Sequence, residues 1–222
     1  RYGSTTTIEL ENILKELEQA YHVFLTGTGF GGIALALMAL CRPGDEILVS
    51  DNVYGPTKEI SQELMKEFKV DAKFYNPDSL DDLKRKISHK TKMILVENPG
   101  SNTFEFQDLS KIVKVAKRKK IFTLLDNTWG TPLYLKPLKL GFDMSFCSAT
   151  KYFSGHSDAM GGSLAVSQKV FKKIMFFYKL SGYRMSADEA YLIIRGLRTL
   201  DTRLKQHYEN TKTIIKFLKK QK

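Results

Sequence analysis

The sequence is poor in cysteine, with two in 222 residues, Cys41 and Cys147, both in apolar surroundings. That excludes a disulfide-stapled secreted scaffold and reads as free thiols of a cytoplasmic protein. No apolar run approaches the roughly 18 residues that a membrane-spanning helix needs, and no leader pattern opens the chain. Internal repeats and low-complexity linkers are missing as well. Acidic residues are scarce, 24 against 35 Lys and Arg, for a net charge of +11. Nearly all of the excess lies from Gln168 onward, where about 14 basic residues face 4 acidic ones. These lysines fall on helical faces with no interleaved aromatic platform, which favours a solvated basic face over a nucleic-acid groove. An initiator methionine and a helix stop signal are also wanting. The chain opens on Arg1 and closes on "KTIIKFLKKQK", so both ends read as cut from a longer chain.

What is present is a soluble globular composition, 42% hydrophobic with a mean hydropathy of −0.27, and enough residues for one large domain. Helical and strand patterns alternate. Thr6-Thr7-Ile8-Glu9 has the form of a capping box, followed by Leu10, Ile13, Leu14 and Leu17 at helical spacing. Strands are predicted at His22–Thr26, Glu46–Ser50, Val70–Tyr75, Met93–Glu97, Ile121–Leu125 and Met144–Cys147. Between them fall helices at Ile33–Leu40, Thr57–Phe68, Ser79–Ile87 and Leu109–Lys119. Leu164–Ser167 reads as an antiparallel edge strand, followed by helices over Ala187–Arg195 and from Leu200 on. This rhythm predicts an α/β fold with a mostly parallel sheet between helices. Ligands of such sheets bind at the carboxyl ends of the strands, which are marked by Thr26, Asp51, Glu97, Asp126 and Ser148.

One turn there is rich in glycine. "GTGFGG" at 27–32 follows a strand and precedes a helix, and Asp51 ends the next strand. On paper this meets the dinucleotide-binding fingerprint and admits an NAD-binding module. Its physics is more general, because glycines let backbone amides approach any phosphate at a helix N-terminus. A tight turn with no ligand has the same sequence.

Downstream residues narrow the choice. Asp126 ends the most apolar strand, where an unpaired carboxylate is costly and wants a cation. Lys151 follows the hydroxyls Ser148 and Thr150, whose spacing suits one phosphate grasped from a single turn. Tyr54 in "DNVYGPT" follows another strand end and can stack on a flat ring. Gly29 and Phe30 offer phosphate-binding amides. Each has a bland reading: a solvated loop lysine, a capping aspartate, a core tyrosine, hydroxyls that end a strand. Jointly they describe a lysine for an aldehyde, an aspartate for a ring nitrogen, a ring-stacking tyrosine and a phosphate cup. Those are the requirements of pyridoxal 5'-phosphate.

"SATKYFSGHSD" at 148–158 then carries a specific resemblance. The chain resembles the Cys/Met-metabolism family of pyridoxal-phosphate enzymes, with the aspartate-aminotransferase-like fold (fold type I), essentially from end to end. The resemblance implies a cofactor-binding large domain over 1–200 and, over 201–222, the start of a helix leading to a C-terminal domain. It implies Lys151 as the Schiff-base lysine and Asp126 as the partner of the pyridinium nitrogen. Tyr54 is the implied stacking and proton-handling tyrosine, and Gly29, Phe30, Ser148 and Thr150 the implied phosphate cup. "RYGSTT" resembles the end of a family motif whose arginine crosses a dimer interface, implying that Arg1 reaches a neighbour's phosphate in a homodimer or homotetramer. "ENPGSNTFE" at 97–105 resembles the bacterial beta-lyase branch, which implies beta-elimination of L-cystathionine. Asn98, Phe30 and Trp129 depart from the usual residues of that pattern. Other expectations kept open are gamma-cleaving relatives and an inactive remnant.

Overall fold

Apolar side chains at consecutive strand positions, such as Ile47-Leu48-Val49 and Met93-Ile94-Leu95-Val96, require cover on both faces of a sheet. The computed structural model, which describes residues 3–221, supplies it. In chain order the elements are α1 (Thr5–Glu18), β1 (His22–Thr26), α2 (Gly29–Leu40), β2 (Glu46–Ser50), α3 (Gly55–Glu59), a π-helical turn (Ile60–Leu64) and α4 (Met65–Glu67). There follow β3 (Asp71–Tyr75), α5 (Leu80–Lys86), β4 (Thr91–Glu97), α6 (Leu109–Lys119), β5 (Phe122–Asp126), α7 (Thr131–Tyr134), α8 (Pro137–Leu140) and β6 (Met144–Ser148). The rest is β7 (Gly162–Val166), α9 (Gln168–Ser181), α10 (Ala187–Leu197) and α11 (Leu200–Leu218).

The seven strands run in the order β1-β7-β6-β5-β4-β2-β3. All pairings are parallel except those of β7, which is antiparallel to both β1 and β6. Strand alternation sends Ile47, Val49, Met93, Leu95, Leu124 and Phe146 to one face, under α2 and α9. It sends Leu48, Ile94, Val96 and Leu125 to the other, under α5 and α6. On that second face Val23, Leu25, Cys147 and Ala165 pack against α1 and α10. Helix α2 lies deepest, with Leu35, Ala36 and Leu37 fully buried, because the glycines that begin it let it descend onto β1 and β7.

Several expectations need correction. The first helix is capped two residues earlier, by Ser4: the Thr7 N–H donates to Ser4 Oγ (3.2 Å) and the Ser4 N–H to Thr7 Oγ1 (2.8 Å). Two hydroxyl residues thus close the box without Glu9, leaving that side chain in solvent. The strand expected at the edge, β7, lies inside the sheet, since the amino-terminal β1 returns to cover it. The helix expected over 57–68 is broken by a π turn. Helix α9 was not expected: its apolar residues crowd into "IMFF", and that run masks the helical period, although Val170 and Ile174 are fully buried.

Glu18 closes α1 against the underside of β6 and is 1% exposed. Its Oε1 accepts from the Ser145 hydroxyl (3.3 Å) and the Cys147 thiol (3.6 Å), while Oε2 has no partner among the described residues. Burial therefore pushes the Glu18 carboxyl up to about 7. The folded protein binds this proton more tightly than the unfolded chain. The associated stability is complete below the ordinary carboxylate range and is lost as pH rises through about 7. Urea unfolding should show lower stability at pH 8 than at pH 5. Glu18→Gln should remove a share on the order of 3 kcal/mol of that difference; an unchanged pH dependence in the variant would refute the assignment.

Candidate active site

The carboxyl ends of β1, β4, β5 and β6 open onto a cavity of about 1160 Å³, whose lining includes Gly29, Phe30, Tyr54, Glu97, Asp126, Ser148, Thr150 and Lys151. Every site residue expected from the sequence is among them except Arg1, which lies outside the described residues.

The groups expected to cup a phosphate lie together at one end. Thr28 caps α2, its Oγ1 accepting from the Gly31 N–H at 3.1 Å. The amides of Gly29 and Phe30, first in the helix, are left unpaired at its positive end. Gly162 pairs in register with both Thr26 and Ser148, and a Cβ on it would stand 2.6 Å from the Thr28 carbonyl oxygen. A Cβ on Gly29 would come 2.6 Å from Ser148 Oγ. Two glycines thus bring the amides beside the Ser148 hydroxyl. Thr150 serves differently, since its hydroxyl donates to the Gly161 carbonyl (3.3 Å) and accepts from the Gly161 N–H (3.1 Å).

Lys151 stands in a tight turn pinned from below. Ala149 and Phe153 anchor the turn in the core, and its N–H donates to the Ser148 carbonyl at 3.2 Å. Gly196 of α10 packs so closely that a Cβ there would sit 2.1 Å from the Ser154 carbonyl oxygen. The Arg203 guanidinium of α11 donates to the Tyr152 carbonyl at 2.8 Å. The backbone is held while the Lys151 ammonium makes no hydrogen bond or ion pair with any described residue.

Asp126 is 7% exposed. Its Oδ1 accepts from the Thr128 N–H at 3.0 Å, and no cation among the described residues pairs with it. Burial raises its carboxyl to about 6, against the Thr128 hydrogen bonds. A buried carboxylate facing a cavity with no cation fits a ligand that brings one, as a protonated ring nitrogen does. Tyr54 stands at the cavity mouth, 53% exposed, its carbonyl capping α3 by accepting from the N–H groups of Thr57 (2.9 Å) and Lys58 (3.2 Å). The polar requirements of pyridoxal 5'-phosphate are thus distributed around one cavity.

The dinucleotide reading finds no such support. Asp51 stands outside the cavity, its side chain exposed and paired with Lys58 at 2.7 Å.

The sequence patterns left three contributors unmarked as site residues. Glu97 pairs in register with Asp126 and hydrogen-bonds the Tyr54 N–H. Phe104 and Trp129 meet edge-to-face at 5.4 Å and wall the same cavity. Glu97 carried one signal, its place as the polar end of an apolar strand. Trp129 was marked only as a departure from the family pattern and Phe104 only as part of "ENPGSNTFE", and that they meet was not legible because they are distant in sequence.

The family model described as Cys/Met metabolism PLP-dependent enzyme matches residues 1–222. The chain belongs to that family. Among curated relatives of this Cys/Met-metabolism chain, the L-alanine/L-glutamate racemase of Wolbachia pipientis wMel is 35% identical over 98% of the chain and 54% of the relative. The cystathionine beta-lyase of Bordetella avium is 34% identical over 98% of the chain and 55% of the relative. The solved cystathionine gamma synthase of Xanthomonas oryzae pv. oryzae, in complex with aminoacrylate and cysteine, superposes with a TM-score of 0.95 at 32% identity. That match covers 99% of the chain and 57% of the solved one. The chain therefore spans little more than half the length of the relatives it matches. Members of the family depend on pyridoxal 5'-phosphate, and the fold is that of the pyridoxal-phosphate trans-sulfuration enzymes.

The cup is testable at Gly29. Gly29→Ala should turn the Ser148 hydroxyl away and weaken pyridoxal 5'-phosphate binding by roughly tenfold or more, about 1.4 kcal/mol, in an absorbance titration. Gly55→Ala is the control, since a Cβ there meets nothing within 4 Å. Equal affinities for the two variants would refute the proposed cup.

Proposed function

We propose that this chain is the cofactor-binding part of a carbon–sulfur beta-lyase that converts L-cystathionine and water to L-homocysteine, pyruvate and ammonia. The observation that carries the proposal is the pairing, across one cavity, of an unpartnered lysine, Lys151, with a buried aspartate, Asp126, that has no cation of its own. Pyridoxal 5'-phosphate, when bound, supplies an electron sink for charge that develops at the substrate Cα.

The chain's own residues do the rest. Lys151 provides the amine that anchors the cofactor aldehyde. With its Nζ free, Lys151 would be the base for the substrate Cα proton. Asp126 would supply the negative charge that keeps a ring nitrogen protonated. Tyr54 covers the ring face and assists in moving protons. The amides of Gly29 and Phe30, with the Ser148 hydroxyl, would hold the phosphate. Thr150, expected in the same cup but bonded both ways to Gly161, would fix the turn that carries Lys151. Arg1 is proposed to complete that cup in a second copy, which makes a homodimer or homotetramer the working assembly. The large domain is proposed to extend over 1–200, with 201–222 leading towards a C-terminal domain.

A beta rather than gamma cleavage is supported by "ENPGSNTFE", whose Ser101 and Phe104 fold over the cavity, and by likeness to the Bordetella avium enzyme. The spread of named relatives, including an L-methionine gamma-lyase of Fusobacterium nucleatum, makes gamma cleavage the second reading.

Borohydride reduction of the loaded protein followed by peptide mapping should label Lys151. Lys151→Ala should lose the long-wavelength absorbance of the bound cofactor and about 10³-fold or more of kcat. Label on a different lysine would refute the site, whereas 2-oxobutyrate in place of pyruvate from L-cystathionine would refute only the beta assignment.

A further inference from the structure

Glu97 is the last residue of β4, 5% exposed, and sits directly across the strand pairing from Asp126. Both of its oxygens accept. Oε2 takes the main-chain N–H of Tyr54 at 2.7 Å, and Oε1 takes the Ser101 hydroxyl at 2.6 Å. The Tyr54 contact bridges residues 43 apart in sequence. It matters because α3 has no side-chain cap and Tyr54 stands at its N-cap position, followed by Pro56 in the first turn. The Tyr54 carbonyl is fixed by that helix, and among the described residues its N–H is fixed by Glu97 alone. The direction in which the tyrosine ring leaves the backbone therefore depends on this carboxylate.

A second buried acid beside Asp126 is costly. Desolvation and the charge of Asp126 together raise the Glu97 carboxyl to about 7. A group chosen for stability alone would be neutral there. An amide could satisfy both neighbours as well, because the Ser101 hydroxyl can rotate and accept.

Resting on the cofactor reading above, we infer that Glu97 is a positioning residue: it clamps the Tyr54 backbone so that the ring-stacking tyrosine and the ring-nitrogen aspartate are set by adjacent strands as one unit. It touches neither ring nor substrate in this role and acts through Tyr54.

The test is a double-mutant cycle on the full chain, read as the dissociation constant of pyridoxal 5'-phosphate and the induced circular dichroism of the bound cofactor. Glu97→Ala should weaken binding about tenfold or more and alter the dichroism. Glu97→Gln should restore both to within about threefold of the parent. In the Tyr54→Ala background, Glu97→Ala should cost little more. If the alanine variant does not fold, Glu97→Met, which fills the space without accepting a hydrogen bond, takes its place. A full loss on top of Tyr54→Ala, or no loss in the single variant, overturns the inference. A parent protein that takes up no pyridoxal 5'-phosphate overturns instead the cofactor reading on which it rests.

Discussion

A negative charge held at the end of a parallel sheet organises this molecule. Asp126 lies where five buried strand residues end, with a core on either side and a single main-chain donor for company. Removing a carboxylate from water costs several kcal/mol unless a counter-charge is supplied, and the described residues supply none. The surroundings are arranged for a visitor: helix amides and a hydroxyl at one end of the cavity, an unengaged ammonium along it, and an aromatic at its mouth. Read from Asp126, each of these is a complement to one part of a flat, cationic, phosphorylated ring.

On the Lys151 side of the cavity, rigidity comes from packing beneath it. Glycines at 29, 162 and 196 let backbone segments touch where any side chain would collide. The turn bearing Lys151 is buried through its neighbours Ala149 and Phe153, braced by α10, and tied by Arg203 to α11. A flexible side chain on an immobile backbone suits a group that must both attach a ligand and let it go. The buried acids Glu18 and Glu97 show the cost of such placement, since each is pushed towards neutrality by its surroundings.

The departures from the sequence-based reading share a cause. Ser4 takes the cap because it and Thr7, spaced as Thr6 and Glu9 are, satisfy each other's main-chain N–H groups two residues upstream. Strand β7 lies inside the sheet because a partner from the other end of the chain, β1, covers it. Helix α9 was hidden because its apolar residues run together in "IMFF", although Val170 and Ile174 meet the sheet and its own Tyr178 donates its hydroxyl to the Leu25 carbonyl at 2.8 Å. Local pattern reads local competition well. It has no access to which distant segment will arrive.

The sequence by itself determined the alternation of strands and helices, the polar residues that end the strands, and the family to which Lys151, Asp126 and the glycine turn belong. These are legible because periodicity, turn chemistry and a contiguous motif are all local. The tertiary structure alone decided that Asp126 meets no cation among the described residues, that Asp51 is spent on Lys58 at the surface, and that Glu97 holds Tyr54. The first and last of these depend on strand register and on loops meeting across tens of residues, while the Asp51–Lys58 pair, seven residues apart, follows from how α3 leaves the end of β2. Burial and pairing are properties of the assembled sheet.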